Sequence, residues 1–302
     1  MPLQTSPNTY QMKIYIIKEG IPFMKTAVVS DSTAYLPKEL VEELNIHIIP
    51  LNIIFGDESY QEELELSAEQ FYEEVKRHEL PKTSMPAIGK FVELFESLAK
   101  EYDAVISVHL SSGISGTYQG SISAGEMVEG IDVYSFDSEI ACMPQGFYAI
   151  EAAKMAAEGI SPQIIMTRLD EMKKTMDAYF MVDDLSHLQR GGRLSSAQAL
   201  IGGLLQVKPL LHFENKVIIP FEKIRTRKKA IKRIVELLQE DVSNGEAYQA
   251  AVIHGNCEEE ALAWKAELEE QFPNVEFQLS YFGAVIGTHL GEGALGLGWV
   301  KK

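Results

Sequence analysis

The sequence predicts an α/β chain of two domains: an N-terminal mostly parallel sheet with helices on both faces, then a smaller C-terminal α+β domain. Three observations lead there. The chain has 302 residues, 46% of them apolar, which is long for one core and comfortable for two. In the first half, short β-branched runs alternate with helical stretches, the pattern of a parallel sheet covered on both sides. Past Gly159-Ile-Ser-Pro162 the rhythm changes to pairs of apolar runs that suit antiparallel strands, so the domains are placed at 24–160 and 161–302.

Residues 1–23 carry one short apolar run and no small-residue cleavage site, so they are expected to be an extension outside the fold, with Met24 as the natural start. Lys25–Val29 reads as a first strand with Ser30-Asp31-Ser32-Thr33 at its carboxyl end. Leu36–Leu44 is a short amphipathic helix with Pro37 in its first turn. Ile46–Phe55 reads as a second strand closed by the turn Gly56-Asp57, and Ser67-Ala-Glu-Gln70 is a capping box opening a helix to about Glu79. Pro81 and Pro86 pin the following segment as a loop. A helix at about Ile88–Glu101 leads into the apolar strand Asp103–Leu110. A helix over Tyr118–Glu129, a strand over Ile131–Phe136 and a helix at about Pro144–Glu158 complete the half.

The second half opens with a helix over Gln163–Met176, a strand over Ala178–Val182 and a polar helical segment. Pro209–Phe213 and Lys216–Phe221 form a hairpin around Glu214-Asn215. Helices at Thr226–Glu240 and Glu258–Gln271 frame a strand at Ala250–His254, and Val275–Phe282 is a further strand.

Composition narrows the function. A formal charge of −17 opposes nucleic acid or an anionic membrane as a main partner. No apolar run approaches the roughly 18 residues of a membrane span, so no stable insertion is expected. Cys142 and Cys257 stand far apart, the seven His are scattered, and no metal-ligand spacing occurs, which suits a reduced, cytoplasmic protein without a metal or other cofactor. No Walker A or kinase motif is present, so nothing here binds ATP by a recognisable loop.

What the chain does offer is hydroxyls. Ser111, Ser112, Ser115 and Thr117, spaced by Gly113 and Gly116, fill the turn between a strand and a helix. Such a turn aims backbone N–H groups and a positive dipole end at an anion. Asp31–Thr33 and Asp137–Ser138 fall at the same sheet edge. Thr83 and Ser84 add two hydroxyls from a rigid loop, and His289 in Gly287-Thr-His-Leu-Gly291 is a further donor if it is more than a core histidine. Cations are scarce in these loops, Lys82 excepted. Neutral donors suit a singly charged carboxylate better than a phosphate ester.

Competing patterns are weaker. Gly113-Ile-Ser115-Gly-Thr117 approaches the nucleophile elbow, but Thr117 occupies its final glycine position. Ser115 or Ser112 with His289 would make it a serine-dependent acyl hydrolase or transferase. Gly291-Glu-Gly293-Ala-Leu-Gly296 matches a dinucleotide fingerprint as a pattern, but six residues remain after it, too few for the helix and second strand. Two polar segments could serve a protein partner or pair internally. Asp183–Ser195 holds Arg190 and Arg193, and Arg225-Thr-Arg-Lys-Lys229 puts Arg227 and Lys228 in a first helical turn, where the dipole disfavours cations.

The order of these motifs resembles the DegV family of bacterial fatty-acid-binding proteins. The features are Ser30–Thr33, Thr83-Ser-Met-Pro86, Ser111–Tyr118, Asp184–Arg193, Lys208-Pro209, Arg225-Thr-Arg227 and Gly287–Gly291, which together span 24–302. Met85, Ala87 and Glu292 depart from residues usual in the family. The resemblance implies a long-chain fatty acid held between two α/β domains. Hydroxyls of the Thr83–Ser84 and Ser111–Thr117 loops, with Gly116 and His289, would grip its carboxylate. It further implies no catalysis by the chain itself. A separate ATP-binding fatty acid kinase subunit would convert the carboxylate to an acyl-phosphate that feeds phospholipid synthesis. Arg190, Arg193, Arg225, Arg227 and Lys228 would then be candidates for docking that subunit. The family's fold is also similar to dihydroxyacetone kinases, which leaves a small-molecule kinase subunit as another reading.

Overall fold

A computed structural model of the chain describes residues 24–77, 80–194 and 208–302, so the proposed extension and Ser195 lie outside the described residues. In the first half, β1 (Thr26–Asp31), β2 (Ile46–Ile49), β6 (Ala104–His109) and β7 (Asp132–Asp137) form a parallel sheet in the order β2-β1-β6-β7. Every residue of β1 and β6 is buried, as expected of central strands covered on both faces. Helices α1 (Lys38–Glu43), α3 (Ile88–Leu98), α4 (Thr117–Gly125) and α5 (Met143–Ala157) supply the crossovers and cover.

The expected strand Ile46–Phe55 is two strands in two sheets. Pro50 has no N–H to donate, and pairing stops there. Beyond it, β3 (Asn52–Phe55) pairs antiparallel with β4 (Glu58–Gln61) and with β5 (Lys82–Ser84) in a separate small sheet. The Thr83–Ser84 loop is therefore a strand, with Thr83 opposite Ile53. Helix α2 (Ala68–Glu74) opens with the expected capping box, Ser67 and Gln70 bonding each other's backbone N–H, and ends at Glu74, earlier than expected.

After α6 (Pro162–Lys173), the second half builds a six-stranded mixed sheet, wider than the parallel one. Its strands are β8 (Asp177–Met181), β9 (Lys208–Glu214), β10 (Val217–Ile224), β11 (Tyr248–His254), β12 (Val275–Tyr281) and β13 (Leu295–Lys301). Helices α7 (Ser186–Gly191), α8 (Arg227–Val242), α9 (Glu258–Gln271) and α10 (Ala284–Leu290) complete it. The order is β10-β9-β8-β13-β11-β12, and only β11 and β12 run parallel. Strand β13, an inner strand, and helix α10 have no counterpart in the sequence-based expectation. The glycines that hid β13 have a packing reason. A Cβ on Gly298 would lie 2.4 Å from Pro144, and one on Gly296 would lie 2.9 Å from the Phe180 Cβ.

Helix α5 joins the halves. Ten of its residues between Met143 and Ala153 are buried, so it is apolar around its whole circumference. It touches β1 and β6 on one side and β11 and β13 on the other. One apolar cluster accordingly runs from Val28 and Ile106 through Phe147 and Ile150 to Phe180, Ile253 and Val300. Residue 160 separates the two sheets along the chain, but the core crosses that point.

The β9–β10 hairpin closes over the Ser111–Thr117 turn. Ser111 Oγ donates to the Lys216 carbonyl at 2.6 Å, and a Cβ on Gly113 would stand 2.2 Å from that same oxygen. Gly113→Ala is therefore expected to lower the unfolding free energy by about 1–3 kcal/mol through overpacking. An unshifted urea midpoint would show that the hairpin yields freely.

Candidate functional site

Three acidic or imidazole groups end the parallel strands, and their work is structural. Asp31 accepts from Thr33 N, Thr33 Oγ1 and Leu110 N at 3.1, 2.5 and 2.9 Å, and lies 3.1 Å from His109 Nδ1. Burial alone would raise its pKa; the His109 contact and these donors win and hold it below the usual value. His109 Nε2 is 2.7 Å from Ser107 Oγ, which gives a serine–histidine–aspartate chain. All three members are buried from solvent, and Phe91 sets its ring edge-on to His109 at 5.3 Å. No substrate can reach that serine. Asp137 accepts from Ser112 N and Ser112 Oγ at 3.0 and 2.5 Å, and Lys216 Nζ lies 3.0 Å away. Burial pushes Asp137 up, and these partners pull it below its ordinary value.

These contacts sort the predicted hydroxyls. Ser111 is spent on the hairpin carbonyl and Ser112 on Asp137. Thr117 is buried, its hydroxyl 2.8 Å from Ser115 Oγ. Ser115 and Gly116 line a cavity of about 200 Å³ together with Thr83, Ser84 and His289. Ser111, Ser112 and Thr117 are not in its wall; they shape the turn that presents Ser115.

Arg193 lines the same cavity. The sequence put it in a docking segment and found the hydroxyl loops nearly free of cations; the fold carries it across from the second half. Its Nε donates to the Ile114 carbonyl at 3.1 Å and its Nη1 to the Gly191 carbonyl at 2.6 Å, which fixes the guanidinium in the wall.

Helix α10 brings His289 to Thr83, with Nε2 2.9 Å from Thr83 Oγ1. Burial, with Arg193 and His187 adding to it, lowers the imidazole pKa to about 4, so the ring is neutral at pH 7. Its Nδ1 has no hydrogen-bond partner among the described residues and faces Gly191, where a Cβ would come within 2.2 Å. If the ring donates from Nε2 to Thr83, the threonine hydroxyl proton is released for an anion in the cavity. No hydrogen bond joins Ser115 or Ser112 to His289 among the described residues, and a serine nucleophile needs that bond to its base.

What places α10 is Glu62, a residue the sequence reading passed over. It lies in an acidic run, Glu62-Glu63-Leu64-Glu65, that reads as solvated surface. Yet Glu62 is fully buried. It accepts from Val285 N at 2.7 Å, Tyr35 OH at 2.9 Å and Ser32 Oγ at 2.5 Å. Tyr35 OH in turn accepts from Ile286 N at 3.2 Å. The first-half network thus caps the first turn of the His289 helix. Gly283 makes room for it, since a Cβ there would meet the Tyr35 ring at 2.2 Å.

The cavity continues inward. Ile114, Ile218, Ile286 and Leu290 are walls of both the polar mouth and a second, tighter space of about 40 Å³. That inner space is lined almost wholly by apolar side chains such as Phe180, Phe282 and Leu297. A polar mouth on an apolar tunnel fits an amphiphile with a small anionic head.

A family model described as "Uncharacterised protein, DegV family" matches residues 25–302. The chain belongs to the DegV family. The DegV domain-containing protein of Listeria innocua is 56% identical over 280 residues, covering 92% of this chain and 99% of that one. The crystal structure of DegV from Bacillus subtilis, described as a fatty acid binding protein, superposes with a TM-score of 0.89 at 64% identity, covering 92% of this chain and 100% of that one. A fatty acid binding DegV family protein from Streptococcus agalactiae gives 0.85 at 33% identity, covering 92% and 99%. The expected two-part α/β fold is that of these DegV structures.

The basic cluster also resolves in part. Arg227, expected at a docking surface, is half-buried and bound within the chain. It pairs with Glu260 at 2.7 Å, lies 3.5 Å from Asp183 and donates to the Gly293 carbonyl at 2.7 Å. Those acceptors outweigh the unfavourable dipole at the start of α8, so Arg227 ties α8 to α9 and the glycine loop. Arg190, Arg225 and Lys228 are exposed.

Glu62 gives this site a pH signature. Burial raises its pKa from 4.5 to about 7. Between those values the unfolded chain has lost a proton that the folded chain keeps, so stability falls as pH rises, by up to about 3 kcal/mol in total. His289, its pKa lowered, acts oppositely: its contribution is lost as pH falls from 6.5 towards 4. Urea unfolding of Glu62→Gln should show a flatter pH dependence between 5 and 8 than the parent, and His289→Gln a flatter one below 6.5. Identical slopes in parent and variant would exclude that residue as the source.

Proposed function

We propose that this chain binds a long-chain fatty acid between its two halves and presents the carboxylate to a separate ATP-dependent kinase subunit. The observation that carries the reading is the mouth of Thr83, Ser84, Ser115 and His289 opening onto an apolar tunnel through shared walls. DegV relatives described as fatty acid binding proteins support the ligand class. A small-molecule kinase subunit with a short polyhydroxy ligand would leave the tunnel without a purpose.

The geometry suits presentation. The threonine hydroxyl, the serine hydroxyls and Arg193 can neutralise one carboxylate oxygen. The other oxygen stays unprotonated, because neutral donors and a fixed guanidinium supply hydrogen bonds without transferring a proton. Phosphoryl transfer then needs only an in-line nucleotide. The carboxylate oxygen bonds the γ-phosphorus, the bond to the β–γ bridging oxygen breaks, and ADP leaves with that electron pair. The sequence has no phosphate-binding loop for ATP, so the nucleotide is assigned to the partner. The acyl-phosphate product would feed phospholipid synthesis, in the cytoplasm. Exposed Arg190, Arg225 and Lys228 are the docking candidates that remain, with Arg193 reassigned to the head pocket and Arg227 to the fold.

Mass spectrometry of an organic extract of the purified protein should find a fatty acid at near-stoichiometric amount. A protein that neither carries nor binds any acyl chain would sink the reading. Thr83→Val is expected to weaken fatty acid binding about tenfold or more, the worth of a hydrogen bond to a charged group. Lys228→Glu should leave binding intact and slow acyl-phosphate formation with the kinase subunit; unchanged phosphorylation would remove Lys228 from the docking surface.

A further inference from the structure

A third space lies beyond the tunnel, and the carboxylate site makes no use of it. It is an open-sided pocket of about 120 Å³ that shares Ile140, Ala178 and Phe213 with the tunnel. The mouth shares a different set of walls with the tunnel, namely Ile114, Ile218, Ile286 and Leu290. The tunnel therefore stands between the mouth and the chamber and shares side chains with each. An acyl chain that ran from the mouth through the tunnel would end at the wall around Phe213.

The chamber differs in kind from the tunnel. Tyr148, Lys173, Lys216, Asn215, Glu139 and Asp177 line it. Tyr148 is fully buried, its ring tilted against Phe136 at 5.1 Å, and its hydroxyl has no hydrogen-bond partner among the described residues. A buried hydroxyl left unpaired in a roomy cavity calls for a ligand or an ordered water.

Charge decides which ligand. Lys216 Nζ lies 3.0 Å from Asp137 and 3.8 Å from Glu139, and Lys173 Nζ lies 3.4 Å from Glu139 and 3.5 Å from Asp170. Both cations already have anions, and Asp177 adds another acid to the wall. A second carboxylate would meet no unbalanced positive charge. What stays unmet in the chamber is the Tyr148 hydroxyl, which one uncharged hydrogen-bonding group would satisfy.

We propose that this chamber is a second subsite, which takes a hydroxyl carried at the far end of a long-chain fatty acid. The phenol of Tyr148 pairs with that hydroxyl while the chain fills the tunnel and the carboxylate sits at Thr83 and His289. Plain chains occupy the same tunnel and leave the phenol to water. The inference rests on the fatty acid reading, and the two can fail separately.

Dissociation constants of palmitate and ω-hydroxypalmitate, measured on the delipidated full-length chain and on Tyr148→Phe, test it. The phenylalanine keeps the ring and its contact with Phe136, and the ratio of the two ligands cancels any general loss of fold. Tyr148→Phe is expected to weaken ω-hydroxypalmitate by about threefold to tenfold more than palmitate, the worth of one neutral hydrogen bond. Thr83→Val, at the other end, should weaken both ligands by the same factor. Equal losses for both ligands in Tyr148→Phe would overturn the subsite and leave the chamber to water. Failure of palmitate to bind the parent chain would overturn the fatty acid reading and the subsite with it, whereas failure of ω-hydroxypalmitate alone would overturn only the subsite.

Discussion

The buried carboxylate of Glu62 is the contact on which the site depends. It belongs to the first half of the chain, yet its acceptors hold the first turn of α10 in the second half, where Val285 and Ile286 offer their amides to Glu62 and Tyr35. One turn further along that helix stands His289, and its partner Thr83 returns to the first half. The mouth is thus built twice across the boundary, once by the Glu62 contacts and once by the Thr83–His289 hydrogen bond. A carboxylate with no cation beside it is costly to bury unless its lone pairs are filled, and three donors fill them here. That cost is the reason its proton is held so far above the ordinary range.

Glycine and hydroxyl residues at the sheet edge divide their labour along the same lines. Asp31 and Asp137 take up the backbone and the hydroxyls nearest the strand ends, and so fix the loops. Ser115, lying further along the turn, reaches the cavity. A loop rich in hydroxyls is therefore two layers, an inner one that is bonded to carboxylates and an outer one that faces the cavity. Rigid inner bonding is what makes outer donors selective, because donors that need no reorganisation discriminate by position.

Much of this was legible in the residues. The alternation of apolar runs and helical stretches gave the parallel sheet, and the capping box at Ser67 gave the start of α2 to the residue. Thr83, Ser84, Ser115, Gly116 and His289 were grouped by chemical type and by the resemblance to the DegV family, and they line one cavity. What stayed hidden depended on contacts distant in sequence. Glu62 looks like surface because its neighbours are acidic, and its three donors come from Ser32, Tyr35 and Val285. Arg193 looks like a surface cation until Ile114 and Gly191 are known to hold it. Strand β13 was masked by Gly296 and Gly298, whose reason is the approach of Phe180 and Pro144. Pro50 was a visible signal that the run from Ile46 to Phe55 breaks.

Helix α5 bears on how a ligand enters and leaves. Two halves joined by a loose linker can open like a book and release whatever lies between them. Here the same buried helix is packed against β1 and β6 of one sheet and β11 and β13 of the other, within a single apolar cluster. Parting the halves would tear that cluster, so the global opening route is closed under native conditions. Small displacements near the mouth remain open, where the short elements β5 and α10 form part of the wall. Any occupant of the cavity in a fold built this way would exchange slowly, and its release would depend on movements at the rim.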